Sequence, residues 1–124
     1  MIPTIRGNGT LVRWREDHGW QFQRKGVMYT LWENPQFDVS LFAEIDVALS
    51  WLEQLDNDIN QHIQTFLEGL CEWTGEKELV TIDVSWLTSK KQIDAQYAND
   101  DWGDLGINVV VVDGRVVNSY SGDA

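Results

Sequence analysis

The chain has 124 residues and a formal net charge of −11 at pH 7. This length suits a single domain, residues 1–124, and a hydrophobic fraction of 43% is enough for one ordinary core. The strong negative charge disfavours nucleic acid and anionic membrane surfaces as partners, because phosphate groups would be repelled. It favours a basic protein partner, whose opposite field speeds encounter, with simple solubility as the alternative explanation.

Cysteine usage and the N-terminal sequence bear on location. The single cysteine, Cys71, excludes an intramolecular disulfide and indicates a reducing compartment. The first ten residues, MIPTIRGNGT, lack the charged start and apolar stretch of a signal peptide. No window approaches the roughly 18 consecutive apolar residues that a membrane span needs. We therefore expect a cytoplasmic protein.

The first third of the sequence predicts a β-meander from about Thr10 to Trp32. Apolar and polar residues alternate in TLVRW, in WQFQ and in VMYTLW, and alternation with period two is typical of strands with one buried face. Turns that contain Gly19 and Gly26 separate the three segments. Pro35 then ends the third strand, because proline has no N–H to donate to a ladder.

The middle third predicts two helices, near Leu41–Leu55 and Asn57–Trp73. Apolar residues recur there at steps of three and four, which gives each helix one apolar face. The two series are Phe42, Ile45, Leu49, Leu52 and Leu55, then Ile59, Ile63, Phe66, Leu67, Leu70 and Trp73. Asp38 or Ser40 is the expected cap of the first helix, and Gly75 the residue just past the second. The break LDND is compatible with a hairpin or with one kinked helix.

The last third returns to strands. TIDVSW and QIDAQYA alternate and are separated by a turn at TSKK; INVVVV and RVVNSY follow, joined by Asp113-Gly114. Asp-Gly between apolar runs is a strong hairpin signal. The run INVVVV does not alternate, which predicts a strand buried on both faces. The order of elements predicts an α+β domain with an N-terminal β-meander, two central helices, C-terminal strands and a mainly antiparallel sheet.

An acidic loop, Asn99–Gly106 (NDDWGDLG), precedes INVVVV. It holds three aspartates, Asp100, Asp101 and Asp104, around Trp102. The tryptophan either closes the core beneath the loop or is an exposed aromatic anchor for a partner, a position in which tryptophan is enriched. We predict that these four residues belong to a partner-binding surface.

Metal binding and catalysis are disfavoured at this loop. Counted from Asn99, a calcium loop would need glycine at position 104 and glutamate at position 110, where the chain has Asp104 and Val110. A looser cation site formed by the aspartates, and a glycosidase pair of carboxylates, are weaker alternatives. His18 and His62 have no zinc ligand at helical or finger spacing. We expect no catalytic residue, no metal and no cofactor.

A second acidic surface is predicted on the helices. Carboxylates lie off the apolar faces at Glu44, Asp46, Glu53, Asp56, Asp58, Glu68 and Glu72. No lysine or arginine is interleaved between residues 38 and 76, whereas solvated helices usually mix signs to gain i,i+4 pairs. Residues 1–25, by contrast, hold five basic and two acidic side chains. We therefore add Asp56, Asp58 and Glu72 to the predicted partner-binding surface.

Several short motifs resemble an uncharacterised family of small bacterial domains. In that family a glycine-tryptophan hairpin opens the chain and a Trp-Gly-His-x-Ile-x-Val segment lies near the end. The matching residues are Gly19-Trp20, Trp102-Gly103, Ile107 and Val109. The resemblance covers most of the chain and implies no established activity. Asp104 stands at the position of the family's histidine, with one extra residue before Ile107, so no role of that histidine carries over.

In size, charge and style the chain also resembles, more loosely, the acidic immunity proteins that neutralise bacterial toxins. The hypothesis from sequence is therefore a binding protein, an immunity protein whose acidic surface covers a basic toxin such as a nuclease. A cytosolic adaptor or accessory domain with another partner is the alternative. A small hydrolase that uses the aspartate loop is the third hypothesis.

Overall fold

The structure is a computed structural model that describes residues 5–7, 10–15, 19–24, 26–31 and 40–123. The strands are β1 (Ile5–Gly7), β2 (Thr10–Arg15), β3 (Gly19–Arg24), β4 (Val27–Leu31), β5 (Glu78–Asp83), β6 (Gln92–Ala98), β7 (Leu105–Val112) and β8 (Arg115–Asp123). The helices are α1 (Leu41–Gln54), α2 (Asp56–Leu67) and the short α3 (Leu87–Lys90). One turn of 3₁₀ helix covers Asp100–Trp102.

The eight strands lie in the sheet in chain order, from β1 at one edge to β8 at the other. Every neighbouring pair is antiparallel except β4 and β5, which are parallel. Parallel neighbours need a crossover connection, and α1 and α2 lie in the connection between these two strands. The predicted α+β class with a mainly antiparallel sheet is confirmed.

The N-terminal meander agrees with its prediction in the part of it that is described. β2, β3 and β4 correspond to the three alternating segments, and the first strand, β1, was not predicted. Gly19 and Gly26 have φ angles of 72° and 81°, which glycine adopts without the clash that a Cβ would cause. Trp32, Pro35 and Asp38 lie outside the described residues.

The second helix is shorter than its periodic pattern predicts. α2 ends at Leu67, whereas the sequence predicted a helix to Trp73. The backbone leaves the helical region at Glu68, whose ψ is 123°, and Gly69 follows with a φ of 81°, so Gly75 is not the residue just past the helix. Leu70, assigned to the apolar face of the helix, is 69% exposed. Leu70 follows Phe66 and Leu67 at the four- and three-residue spacing of a helix, but the backbone is no longer helical at that point.

The break between the two helices is a single residue. Leu55 accepts a hydrogen bond from the N–H of Ile59 and donates its own N–H to Trp51 O, both at 2.9 Å. These are i→i−4 bonds on both sides of the break, so the helical pattern of bonding runs through it. The segment is therefore one interrupted helix and has no hairpin loop.

The C-terminal strands differ from the prediction at one connection. β5 ends at Asp83. Most of the TSKK segment, which was expected to be a turn, belongs to α3, and Lys91 just past that helix has a left-handed backbone conformation. The hairpin at Asp113-Gly114 is confirmed; both residues have positive φ, as a two-residue turn of type I′ requires.

The prediction that INVVVV is buried on both faces is wrong. In β7 the side chains of Ile107, Val109 and Val111 are fully buried, whereas Asn108 and Val110 are only half-buried. The residues therefore alternate in burial although they do not alternate in polarity. The helices pack on one face of the sheet, and in the described residues no helix packs on the other.

One hydrophobic core joins the helices to that face of the sheet. The helical stripes contribute Leu41, Phe42, Ile45, Ala48, Leu52, Ile59, Ile63 and Leu67. The central strands contribute Ile82, Ile93, Ala95, Tyr97, Ile107, Val109 and Val111. None of the described helices is long and apolar enough to span a bilayer.

Candidate functional site

The acidic loop has a backbone fixed by its own first residue. The Asn99 Oδ1 atom accepts a hydrogen bond from the N–H of Asp101 at 2.8 Å, and Asn99 O accepts one from the N–H of Trp102 at 2.9 Å. This is the capping arrangement by which asparagine starts a helical turn. The side chains of Asp100, Asp101 and Asp104 are exposed.

Trp102 closes the core beneath the loop, which is one of the two interpretations from sequence. Its side chain is 8% exposed, and its ring meets Trp73 edge to face with the centroids 6.2 Å apart. A buried indole cannot be an exposed anchor. Its structural role is therefore to tie the loop that carries the three aspartates to the core.

The start of α2 is joined to this loop through the segment before β5. Lys77 Nζ lies 2.5 Å from Asp56 Oδ1. The neighbouring carbonyl, Glu76 O, accepts hydrogen bonds from Asn99 Nδ2 at 3.0 Å and from Trp73 Nε1 at 2.5 Å. We call this surface the acidic end and define it as Asp56, Glu76, Asp100, Asp101 and Asp104.

The other two predicted partner-binding residues are Asp58 and Glu72. Asp58 lines a shallow cavity of about 280 Å³ together with His62, whose Nδ1 lies 2.7 Å from Ser119 Oγ. Glu72 is exposed beyond the end of α2. Among the described residues, no hydrogen bond or ion pair links Asp58 or Glu72 to the acidic end.

The described residues contain no group of three or more histidine, cysteine, aspartate or glutamate side chains arranged to hold a metal ion. The chemistry available at the acidic end is therefore that of exposed carboxylates on a fixed backbone. Such a surface attracts cationic groups and repels phosphate.

The sheet carries a second polar cluster that the sequence analysis did not identify. It lies on the open face, the side away from the helices, which bears Thr81, Asp83, Gln92, Asp94, Gln96, Asn108, Val110 and Tyr120. Asp83 and Asp94 are direct cross-strand neighbours in β5 and β6. Asp83 Oδ1 accepts hydrogen bonds from the Ser85 N–H at 2.9 Å and from Ser85 Oγ at 2.5 Å. The Tyr120 hydroxyl donates to Asp94 Oδ2.

The titration of this cluster is shifted by its surroundings. Burial raises the pKa of Asp94; the hydrogen bond from Tyr120 opposes this shift, and the negative charge of Asp83 adds to it. The pKa of Tyr120 is raised first by burial and then by its bond to Asp94. The carboxylate of Asp94 is thus partly desolvated and close to a like charge.

A signal for this cluster is present in the sequence. Thr81 and Asp83, and then Gln92, Asp94 and Gln96, are polar residues at alternate positions within strands. Alternation shows that they share one face but not that the face stays uncovered, because a second layer could pack there. Nor does the sequence show that Asp83 lies opposite Asp94, which depends on strand register.

Comparisons of the chain with protein-family models, with curated proteins and with solved structures give no match. The resemblance to the family of small bacterial domains therefore stays a prediction. In the structure, its matching residues have architectural positions. Gly19 and Gly103 have positive φ angles, and Trp20, Ile107 and Val109 are buried.

Proposed function

We propose that this chain is a binding protein that neutralises a bacterial toxin by covering a basic functional cleft, such as that of a nuclease. The observation that carries the proposal is the acidic end, where exposed carboxylates of the loop and of the start of α2 share one fixed surface. A nuclease cleft holds phosphates with basic side chains, so an array of carboxylates can occupy it as a phosphate mimic.

Rigidity supports this use of the loop. The Asn99 cap fixes the backbone, and the buried ring of Trp102 ties it to the core. A surface that is already ordered loses little conformational entropy when a partner binds, so more of the contact energy appears as affinity.

The distribution of charge also supports the proposal that the acidic end binds a basic partner. Lys77, the basic side chain that the described structure places at the acidic end, is already bonded to Asp56. The field there consequently stays negative, in a chain whose net charge is −11. Opposite fields raise association rates at low salt, and screening over about 8–10 Å weakens this steering at higher salt.

The test is the charge-reversed variant Asp100→Lys/Asp101→Lys. The partner is a candidate toxin domain encoded next to this chain, and the measurements are growth rescue and stopped-flow association at two salt concentrations. We expect the variant to fold, to protect poorly, and to associate on the order of tenfold more slowly at low salt, with a smaller difference at high salt.

A matched control is Glu53→Lys/Glu68→Lys, which changes the net charge equally at two exposed positions, one in α1 and one just past α2. It should slow association less than the loop variant. If the loop variant protects fully and associates as fast as the parent, the acidic end is not the interface. If both variants slow association equally, net charge alone governs encounter.

A further inference from the structure

A groove with an apolar floor lies between α1, α3 and the turn that joins β7 to β8. It has a volume of about 280 Å³ and is lined by Glu44, Val47, Trp51, Leu87, Lys91 and Asp113. Pockets for drug-sized ligands usually enclose about 300–1,000 Å³, so this groove suits a smaller molecule. Its lining includes no residue of the acidic end and none of the polar cluster on the open face.

The floor of the groove follows from the sequence of α1. Glu44, Val47 and Trp51 are spaced by three and four residues, so they share one side of the helix, beside the stripe that packs in the core. Val47 is 56% exposed, Trp51 is half-buried, and Leu87 of α3 is buried. A Cβ added at Gly114 would lie 3.5 Å from the Trp51 ring, so the hairpin turn lies beside the indole. A ligand that displaces water from this apolar surface gains free energy.

Two hydrogen bonds hold the walls of the groove together. Thr88 Oγ1 donates to Glu44 Oε2 at 2.7 Å, which joins α3 to α1. The N–H of Asp113 donates to Lys91 O at 2.9 Å, which joins the hairpin turn to the end of α3. The three elements are thus tied to one another in the free chain, and a ligand finds the groove already formed.

The rim of the groove carries charges of both signs. Lys91 is exposed, and its ammonium forms no ion pair within the described residues. The Asp113 carboxylate is also exposed and unpaired there, and Glu44 Oε1 accepts no hydrogen bond from the described part of the chain. A simple carboxylic acid would meet two like charges at this rim, and a simple amine would meet one. A molecule that carries both an ammonium and a carboxylate matches the rim best.

We propose that the groove binds a free α-amino acid with an apolar side chain. The ligand's side chain covers the apolar floor, its carboxylate bonds to the Lys91 ammonium, and its ammonium lies near Glu44 and Asp113. The inference goes beyond the proposed toxin binding and does not depend on it. The acidic loop precedes β7, whereas the groove lies at the far end of that strand, roughly 25 Å away.

The experiment uses three probes that share one ring. They are L-phenylalanine, 2-phenylethylamine, which lacks the carboxylate, and 3-phenylpropanoate, which lacks the ammonium. Each is titrated into the isotopically labelled full chain, and NMR follows the indole N–H signal of Trp51, assigned through its loss in Trp51→Phe. We expect phenylalanine to move this signal and the amides of residues 87–91 and 113–114, with a Kd below about 1 mM. Both analogues should bind about threefold to fivefold more weakly, because each lacks one partly exposed charge contact.

Lys91→Met removes the charge that holds the ligand's carboxylate. Phenylalanine should then bind about threefold to fivefold more weakly and no better than 2-phenylethylamine, whose own binding should not weaken. The matched control is Lys90→Met, which removes the same charge one residue away, where Lys90 Nζ lies 4.6 Å from the centroid of the Trp86 ring. It should change the Kd of phenylalanine by less than about twofold. Both lysines are exposed, and matching thermal transitions confirm that both variants fold.

Three outcomes would overturn the assignment. If no probe moves the Trp51 signal, the groove is not a ligand site. If 2-phenylethylamine binds the parent as tightly as phenylalanine, the groove takes cations and does not recognise the carboxylate. If Lys91→Met and Lys90→Met weaken phenylalanine binding equally, net charge governs binding and the rim of the groove does not.

Discussion

The two faces of the sheet differ in chemistry although the same strands form both. Towards the helices, β7 presents Ile107, Val109 and Val111, which are fully buried. On the open face the same strand presents Asn108 and Val110, which are half-buried. The covered face accordingly has the packing of a core, in which volume changes are felt, and the open face does not.

The two faces of the sheet differ in how strongly packing restricts which side chains can occupy them. Side chains under the helices are constrained by packing against one another, so their identity is dictated by stability. Side chains on the open face and at the acidic end are free of that constraint. Polar and charged residues suit these positions because water solvates them, so folding leaves the exact identity of these side chains open.

The largest effect should come from Trp102, which belongs to the core although it sits in an acidic loop. Trp102→Ala should lower the free energy of unfolding by about 3–5 kcal/mol, because it empties a large buried volume beside Trp73. Urea denaturation followed by circular dichroism measures the change. Trp102→Phe is the matched control, since it keeps a ring and removes an indole N–H that has no hydrogen-bond partner among the described residues. If the alanine variant is as stable as the parent, the loop is not tied to the core.

Adjacent valines test the two faces directly. Val109→Ala should lower the free energy of unfolding by roughly 2–3 kcal/mol, from the buried methyl groups and the cavity that they leave. Val110→Ala, the next residue on the half-buried side, should cost less than about 1 kcal/mol. Both are measured by chemical denaturation under identical conditions. Equal losses would mean that the open face is packed like a core.

The smallest effect is a pH dependence from Asp94. Its folded-state pKa is raised, so the stabilisation linked to its protonation is present below the unfolded value near 3.8 and is lost as the pH rises through the folded pKa. Asp94→Asn should therefore be more stable than the parent at pH 7 by roughly 0.2–1 kcal/mol, the size of a cross-strand charge effect. The difference should vanish below pH 3.8. Thermal unfolding between pH 3 and pH 7 measures it, and a variant less stable than the parent at pH 7 would show that the carboxylate stabilises the fold.

Much of the fold follows from sequence periodicity. Alternation in QIDAQYA and the Asp113-Gly114 turn are local signals, and the structure agrees with both. The apolar spacing predicts too late an end for α2, because Leu70 and Trp73 continue that spacing after the backbone has left the helical region at Glu68. The spacing of apolar residues reflects which side chains are buried, whereas the backbone conformation at Glu68 and Gly69 sets where α2 stops.

The candidate sites were predicted less completely, for a different reason. The three aspartates of the loop are adjacent in sequence, and so the acidic loop is visible there. Asp83 and Asp94 approach each other only through the register of β5 and β6. The alternating pattern of two strands does not reveal which of their residues lie opposite each other, because the register depends on strand pairing and on the turns. Sites that depend on register across strands are consequently hidden in a single sequence.

The single parallel pairing in the sheet has a consequence for how the chain folds. β1–β4 and β5–β8 are each built from pairs of strands adjacent in sequence, which need only short loops to close. β4 and β5, in contrast, meet across the whole segment between Leu31 and Glu78, and a longer loop loses more entropy on closure. Contacts between distant residues slow folding, so the two groups of strands should form early and their joining should limit the folding rate. Substitutions in this joint, such as at Tyr29 or Ile82, would then slow refolding more than substitutions in the β7–β8 hairpin.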